Sequence, residues 1–177
     1  KRLPREVLQE QPFAMLTWAW SLILQLRFEE AEEALRSVRD RLRDLQAAQG
    51  VDAGELTQLR LQLLHREMTF SAARDLPAEV EKKGTELLQM ASDSLHPYLK
   101  ANAYAYLCYS HTEQFKLDEI EKFSAQSRAI LERSGFEFAL IGVLAKVGVS
   151  LFSIGKADAA VRALEEGLNV AERIGGP

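Results

Sequence analysis

Slid against itself by forty positions, the second half of this chain matches itself without a gap. Lys116-x-Asp118 returns as Lys156-x-Asp158, and Glu132-Arg133-x-Gly135 returns as Glu172-Arg173-x-Gly175. Apolar positions keep step between these markers: Tyr104 with Leu144, Leu107 with Val147, Ile120 with Ala160, Ile130 with Val170. A fixed period of this length is the mark of stacked helical units, none of which buries its own apolar face alone. The residues supply the rest of the expectation. Hydrophobic residues make up 47% of the 177, with only 10 Gly and 5 Pro, a composition of helices joined by short turns.

The charge balance narrows the partners. A net charge of −4 gives the whole chain no electrostatic attraction for nucleic acid or an anionic membrane. The single cysteine, Cys108, cannot close an intrachain disulfide, and no secretory apolar segment opens the chain, so a reducing, cytoplasmic setting is expected. The longest apolar run, 136–154, contains Glu137 and Lys146 and reads as a buried helix rather than a membrane span. The chain starts at Lys1 without Met and stops at Gly175-Gly176-Pro177 just after a helix, and is read as a piece of a longer protein.

In chain order, Leu3-Pro4-Arg5-Glu6-Val7-Leu8 reads as one helical turn with Pro at its first position, and Pro12 starts the next helix in the same way. Over 13–26 apolar residues fall on nearly every side, including Trp18 and Trp20, which predicts a helix enclosed by neighbours. Over 29–46, Ala31, Ala34, Leu35, Val38, Leu42 and Leu45 form one stripe and Glu and Arg hold the rest, an outer helix. Its charges include pairs at helical contact spacing, Glu32 with Arg36 and Asp40 with Arg43, the pattern of a solvated face. Turn clusters at 50–54, 74–77 and 94–97 separate further helices over 55–73, 78–91, 98–113, 117–133, 136–154 and 157–173. An entry turn over 1–11 and four hairpins, 12–49, 55–93, 98–135 and 136–175, follow, in one repeat domain.

The hairpins carry the residue logic of tetratricopeptide-type repeats. In the last, Val147-Gly148 lets two helices approach, Gly155 turns the chain, Ala160 is the small contact and Leu164 packs beneath it. Trp18-Ala19 and Leu107-Cys108 stand in the Val147-Gly148 place in the first and third hairpins, with Phe28-x-x-Ala31-x-x-x-Leu35 on the partner helix of the first. The second hairpin shows no clear register, and Ser124 and Ser127 stand at core positions of the third. The predicted fold is all-α, a right-handed α-α superhelix of about four such hairpins.

The opening Leu3-Pro4-Arg5-Glu6-Val7-Leu8-x-x-x-Pro12, then Trp18-Ala19-Trp20-x-Leu22 and Arg27-Phe28-Glu29-Glu30-Ala31-Glu32-x-x-Leu35, together with the period and the Ser134-Gly135 and Ile174-Gly175 helix ends, resembles the helical repeat region of MalT-like, LuxR-type ATP-dependent transcriptional regulators. The resemblance implies sensing of an inducer or regulatory partner and self-assembly. In that family an ATPase precedes the repeats and a helix-turn-helix domain that binds DNA follows them. Neither a Gly-x-x-x-x-Gly-Lys-Ser/Thr loop nor a basic recognition helix is in this sequence, so no direct nucleic acid contact is expected of it.

For binding, the concave face of such an array is lined by the first helix of each hairpin. Register puts Asn102, Ala105, Tyr109, Thr112, Ala145, Val149 and Phe152 inward, with Phe13, Trp20 and Ile23 as counterparts in the first hairpin. Trp20, Asn102, Tyr109, Thr112, Val149 and Phe152 are the candidate groove for a protein or small-molecule inducer, since an apolar trough with an amide and two hydroxyls suits an amphipathic ligand. The bland alternative is that these residues pack against adjoining repeats. Cys108-x-x-His111, with His96 nearby, offers too few ligands for a closed zinc site and no third group for a Cys–His nucleophile. No metal, no cofactor and no catalytic residue is assigned. A free-standing peptide-binding adaptor is the other function class that fits.

Overall fold

Eight α-helices hold 84% of the residues that the computed structural model describes, 10–48, 50–92, 95–112 and 115–175, and no strand occurs among them. They are α1 Pro12–Leu24, α2 Phe28–Ala47, α3 Ala53–Ala73, α4 Pro77–Met90, α5 Pro97–Thr112, α6 Leu117–Ser134, α7 Glu137–Ser153 and α8 Ala157–Arg173. The all-α expectation is met. The entry turn at Leu3–Leu8 lies outside the described residues, as does part of the break at 94–97.

One turn geometry recurs five times among the described residues, once between α6 and α7 at Gly135, where φ is 70° and the Phe136 amide donates to the Leu131 carbonyl at 3.2 Å, and four times elsewhere. Leu26, Asp75, Phe115 and Gly155 each adopt a left-handed backbone, with φ of 58°, 57°, 51° and 79°. In each case the next residue's amide donates back to the preceding helix: Arg27 to Leu22, Leu76 to Ser71, Lys116 to His111 and Lys156 to Leu151, at 2.9–3.3 Å. This is the wide loop of a Schellman ending, which satisfies carbonyls that a helix leaves open and reverses the chain. Gly155 is the natural residue for it, whereas Leu26 and Phe115, 69% and 72% exposed, hold it without that ease. The turns at Asp75, Phe115 and Gly155 are forty positions apart. The longer step is from Leu26 to Asp75, where α2 runs for 20 residues before α3 begins.

The chain divides into two compact units, Lys1–Leu76 and Pro77–Pro177. In the first, α1 packs on α2 and α3, and α2 on α3. Leu16, Ala19 and Leu22 of α1, Ala31, Leu35 and Val38 of α2, and Leu59, Leu63 and Phe70 of α3 form one core, with the Phe28 ring edge-on to Phe70 at 6.1 Å. Asp52 caps α3 by accepting from the Glu55 amide at 2.8 Å. The charged face of α2 carries the expected Arg43–Asp40 pair at 2.8 Å and Arg36–Glu32 at 4.0 Å. One carboxylate is different: Glu67 of α3 is only 8% exposed, and Arg39 Nε and Nη2 both donate to its Oε1. The enclosed helix expected over 13–26 needs correction. Phe13, Trp18, Trp20 and Leu24 of α1 are exposed, because α2 and α3 cover only one side of it within the unit.

In the second unit α5 packs on α4, α6 and α7, α6 also on α7, and α7 on α8. α5 therefore meets both α6, which follows it, and α7, the first helix of the next pair. One core runs through them, from Ala101, Ala105 and Cys108 through Ile120, Leu131 and Leu144 to Ala160 and Val170. The small-residue logic of the sequence is visible atom by atom. A Cβ added at Gly148 would lie 2.7 Å from Leu164 Cγ and 3.4 Å from the Ala160 carbonyl oxygen. One repeat earlier, Cys108 Sγ donates to the Ile120 carbonyl at 3.5 Å, the same approach with a slightly larger residue. Ser127, the polar intruder, is fully buried and donates to the Ala101 carbonyl at 2.7 Å, so its burial is compensated. The run 136–154 is not buried throughout: Phe138, Val149 and Phe152 face outward.

Candidate functional site

The groove residues expected from the sequence fall into three groups. Trp20 stands open on α1, with the Arg66 guanidinium of α3 over its ring at 5.1 Å. Val149 and Phe152 are 61% and 70% exposed on α7, and Tyr109 and Thr112 are half-buried on α5. Asn102 is closed off: it is 5% exposed and its amide donates to the Tyr98 carbonyl at 3.1 Å, so the amide expected to face a ligand is spent on its own helix. The Thr112 hydroxyl likewise donates to the Cys108 carbonyl at 3.0 Å. Ala105 and Ile23 lie in the cores rather than in a groove.

What the sequence reading passed over is a cation stacked on an aromatic ring. Lys146 of α7 places Nζ 5.1 Å from the Tyr106 ring of α5 while donating to the Gly142 carbonyl at 3.3 Å. Burial lowers its pKa from the ordinary lysine value, because the ammonium loses water it would otherwise keep. Tyr106 and Lys146 are themselves forty positions apart, so the pair is one rung of a ladder between successive first helices. In the first unit, Arg66 over Trp20 is a contact of the same kind between α1 and α3. One turn beyond Lys146, the Ser150 hydroxyl is buried and has no hydrogen-bond partner among the described residues.

Cys108 and His111 do not converge. Cys108 is fully buried, and that burial pushes its pKa up to about 12, which keeps the thiol protonated and unreactive. His111 instead stacks on Phe123 at 5.5 Å, and Phe123 stacks on Tyr104 at 5.7 Å. Among the described residues no group of three or more His, Cys, Asp or Glu could hold a metal ion.

A cleft of about 370 Å³ opens in the second unit, lined by Leu131, Leu140 and Val170 with Glu132, Glu137, Glu166, Asn169 and Arg173 among its polar residues. Arg173 bridges from α8 to Glu137 at 3.0 Å and Arg128 from α6 to Glu166 at 2.6 Å. Two of its three carboxylates are thus already neutralised, and the cleft ties α6, α7 and α8 together. The Glu132-Arg133 and Glu172-Arg173 repeat flagged these positions as markers of period only. Their surroundings differ, since Arg133 Nε donates to the Ala129 carbonyl of its own helix.

No family model, curated protein or solved structure matches this chain. Its candidate surface consists of aromatic rings with cations laid on them and exposed apolar side chains. No helix among the described residues is long and apolar enough to cross a membrane.

Proposed function

We propose that this chain is the signal-sensing and interaction segment of a MalT-like, LuxR-type transcriptional regulator, working in the cytoplasm and without chemistry of its own. Its hairpins form a right-handed superhelix of tetratricopeptide-like units that binds an inducer or regulatory partner and takes part in self-assembly. The observation that carries this reading is the recurrence of one turn, in dihedral and in hydrogen bond, at Leu26, Asp75, Phe115 and Gly155. A modular array needs such a device to present equivalent helix faces in series. The Trp20–Arg66 and Tyr106–Lys146 contacts then give one face in each unit a ring and a cation, suited to an amphipathic ligand that ends in a carboxylate or phosphate. Binding acts by population shift: the ligand favours one packing of the repeats over another, and the shift is limited by its differential affinity for the two.

The test has two arms. Candidate inducers are screened by thermal shift against the protein and against Trp20→Ala and Tyr106→Ala; a ligand whose shift survives both substitutions removes the assignment of these faces. The parent reading frame is then read outward. A phosphate-binding loop upstream and a helix-turn-helix downstream support the regulator. Their absence transfers the conclusion to a free-standing peptide-binding adaptor, which the exposed Val149 and Phe152 beside Lys146 would also serve.

A further inference from the structure

The cleft that α6, α7 and α8 share, about 370 Å³, is of the size that holds a small ligand. Its floor is apolar: Leu131, Leu140 and Val170 are all buried in the core beneath it. Its walls are charged, and unevenly so. Glu132, Glu137 and Glu166 line it with one cation, Arg173, which is committed to Glu137 at 3.0 Å. Arg128 reaches Glu166 from outside the lining at 2.6 Å. With both arginines counted, one negative charge is left over, and it rests on Glu132, whose carboxylate pairs with no other described residue. Arg133 follows Glu132 in sequence but lies a quarter turn round the helix and outside the lining, with Nε on the Ala129 carbonyl. Asn169 supplies the remaining polar wall, and its amide group is also unpaired among the described residues.

The helix ends do not cancel this charge. The C-terminal, negative ends of α6 and α8 border the cleft beside the positive end of α7, which has Glu137 in its first turn to answer it. Nor does the packing of helix pairs call for the carboxylates. One repeat back, the places of Glu132, Glu137 and Glu166 hold Ser92, Pro97 and Gln126, and the place of Leu140 holds Lys100. Leu131, Val170 and Arg173 answer to Ala91, Ile130 and Arg133. An apolar floor under an unbalanced carboxylate thus belongs to this cleft and not to the period.

We propose that the cleft binds a monocation with a short apolar body, an alkylguanidinium or alkylammonium group, its charge on the Glu132 carboxylate beside Asn169 and its carbons on Leu131, Leu140 and Val170. A charge-assisted hydrogen bond to Glu132 fixes one end, and burial of the alkyl chain holds the other. A free small molecule and an Arg or Lys side chain of a peptide present the same chemistry. The site shares no residue with the ring-and-cation faces and does not depend on them.

The probes are butylguanidinium and butylurea, which share a shape and differ in charge, and a short acetylated Leu-Arg-Leu amide with its citrulline twin. Each is titrated into the isotope-labelled protein and followed by NMR amide shifts. The cations should move the Gly135 backbone amide and the Asn169 side-chain amide, and bind about tenfold tighter than their neutral twins. Glu132→Gln should erase that preference, whereas Glu172→Gln, forty positions on and outside the lining, should keep it. Both glutamates are exposed, so neither variant should change the melting curve, and the two variants carry the same net charge. Tighter binding of the Arg peptide than of butylguanidinium makes a protein segment the source of the cation, and the reverse makes it a free molecule. Equal affinity for charged and neutral twins, equal loss from Glu132→Gln and Glu172→Gln, or no shift at Gly135 and Asn169 overturns the proposal.

Discussion

Gly148 and Gly142 lie on the same helix, and replacing each by alanine isolates how closely α7 and α8 approach. In a helix interior, Gly→Ala gains about 1 kcal/mol from propensity wherever the methyl has room. At Gly142 it has room, since the nearest outside atom to an added Cβ is Lys146 Nζ at 3.9 Å. At Gly148 the same atom would sit 2.7 and 2.8 Å from Leu164 Cγ and Cδ2, where carbon atoms prefer roughly 3.5–4.0 Å. Leu164 must withdraw by about 1 Å, and at 45% exposure it has solvent to withdraw into. It then gives up the half of its surface that was buried, worth about 1 kcal/mol, while the new methyl still presses on the Ala160 carbonyl at 3.4 Å. Gly142→Ala should therefore stabilise by about 1 kcal/mol, and Gly148→Ala should fall about 1–2 kcal/mol below it. Gly167→Ala, whose Cβ would meet Leu144 at an ordinary 3.5 Å, should group with Gly142→Ala. Urea unfolding followed by far-UV dichroism is the assay, because both tryptophans belong to the first unit and would not report on these sites. Adding Leu164→Ala to Gly148→Ala supplies the check on cause: the pair should be less damaging than the sum of the singles. If Gly148→Ala stabilises as much as Gly142→Ala, the close crossing of α7 and α8 is refuted, and the small-residue reading of Cys108 and Ala19 falls with it.

Phe115→Gly should stabilise by about 0.5 kcal/mol, as relief of a left-handed non-glycine residue outweighs the entropy glycine adds to the unfolded chain, and Gly155→Phe should lose about 1 kcal/mol; thermal melts ordering the two the other way would deny that the turns are equivalent. Ser127→Ala should cost about 1 kcal/mol by removing the donor to the Ala101 carbonyl, read from the same urea curves. Lys146→Met should stabilise at neutral pH, because the wild-type fold carries an ammonium that burial disfavours. That penalty lapses as pH rises through the lowered folded pKa toward 10.5, so the wild type should regain on the variant over that range, and a constant gap would contradict it. Cys108 acts in the opposite sense: its stabilising protonated form is held from 9.0 to about 12 only in the folded state, so stability drains over that window as the unfolded thiol ionises. At neutral pH native Cys108 should react with a thiol reagent only as fast as the second unit opens.

The helices were legible because each hairpin advertises its own boundaries. Pro12, Pro77 and Pro97 open α1, α4 and α5 at their first positions, and Gly135 and Gly155 stand in the left-handed turns that end α6 and α7. Turn recurrence was only half legible, because glycine is the cue for a left-handed residue and Leu26, Asp75 and Phe115 withhold it. Counting back forty from Gly155 and again from Phe115 reaches Phe115 and Asp75, a spacing that the turns reveal and glycine alone does not.

The candidate surface was less legible, and the reason is angular. On a helix, Ala105 and Tyr106 are neighbours in sequence but a quarter turn apart. The step of forty fixes which residues are equivalent, Ala105 with Ala145 and Tyr106 with Lys146, but it does not fix which of those rows faces the groove. Small size was the misleading cue: Ala105 is small because α7 lies on it, and Ala145 keeps the same size with no described helix above it. Charge was the better one. Lys146 interrupts a strongly apolar helix, and a cation placed there must have an electron-rich neighbour or solvent within reach. Only one residue stands a single repeat before it, and Tyr106 is an aromatic. Read that way, the ladder position of any cation in a helical array can be checked against the ring one period earlier, and here the check points to the row that carries Tyr106 and Lys146 rather than the one that carries Ala105 and Ala145.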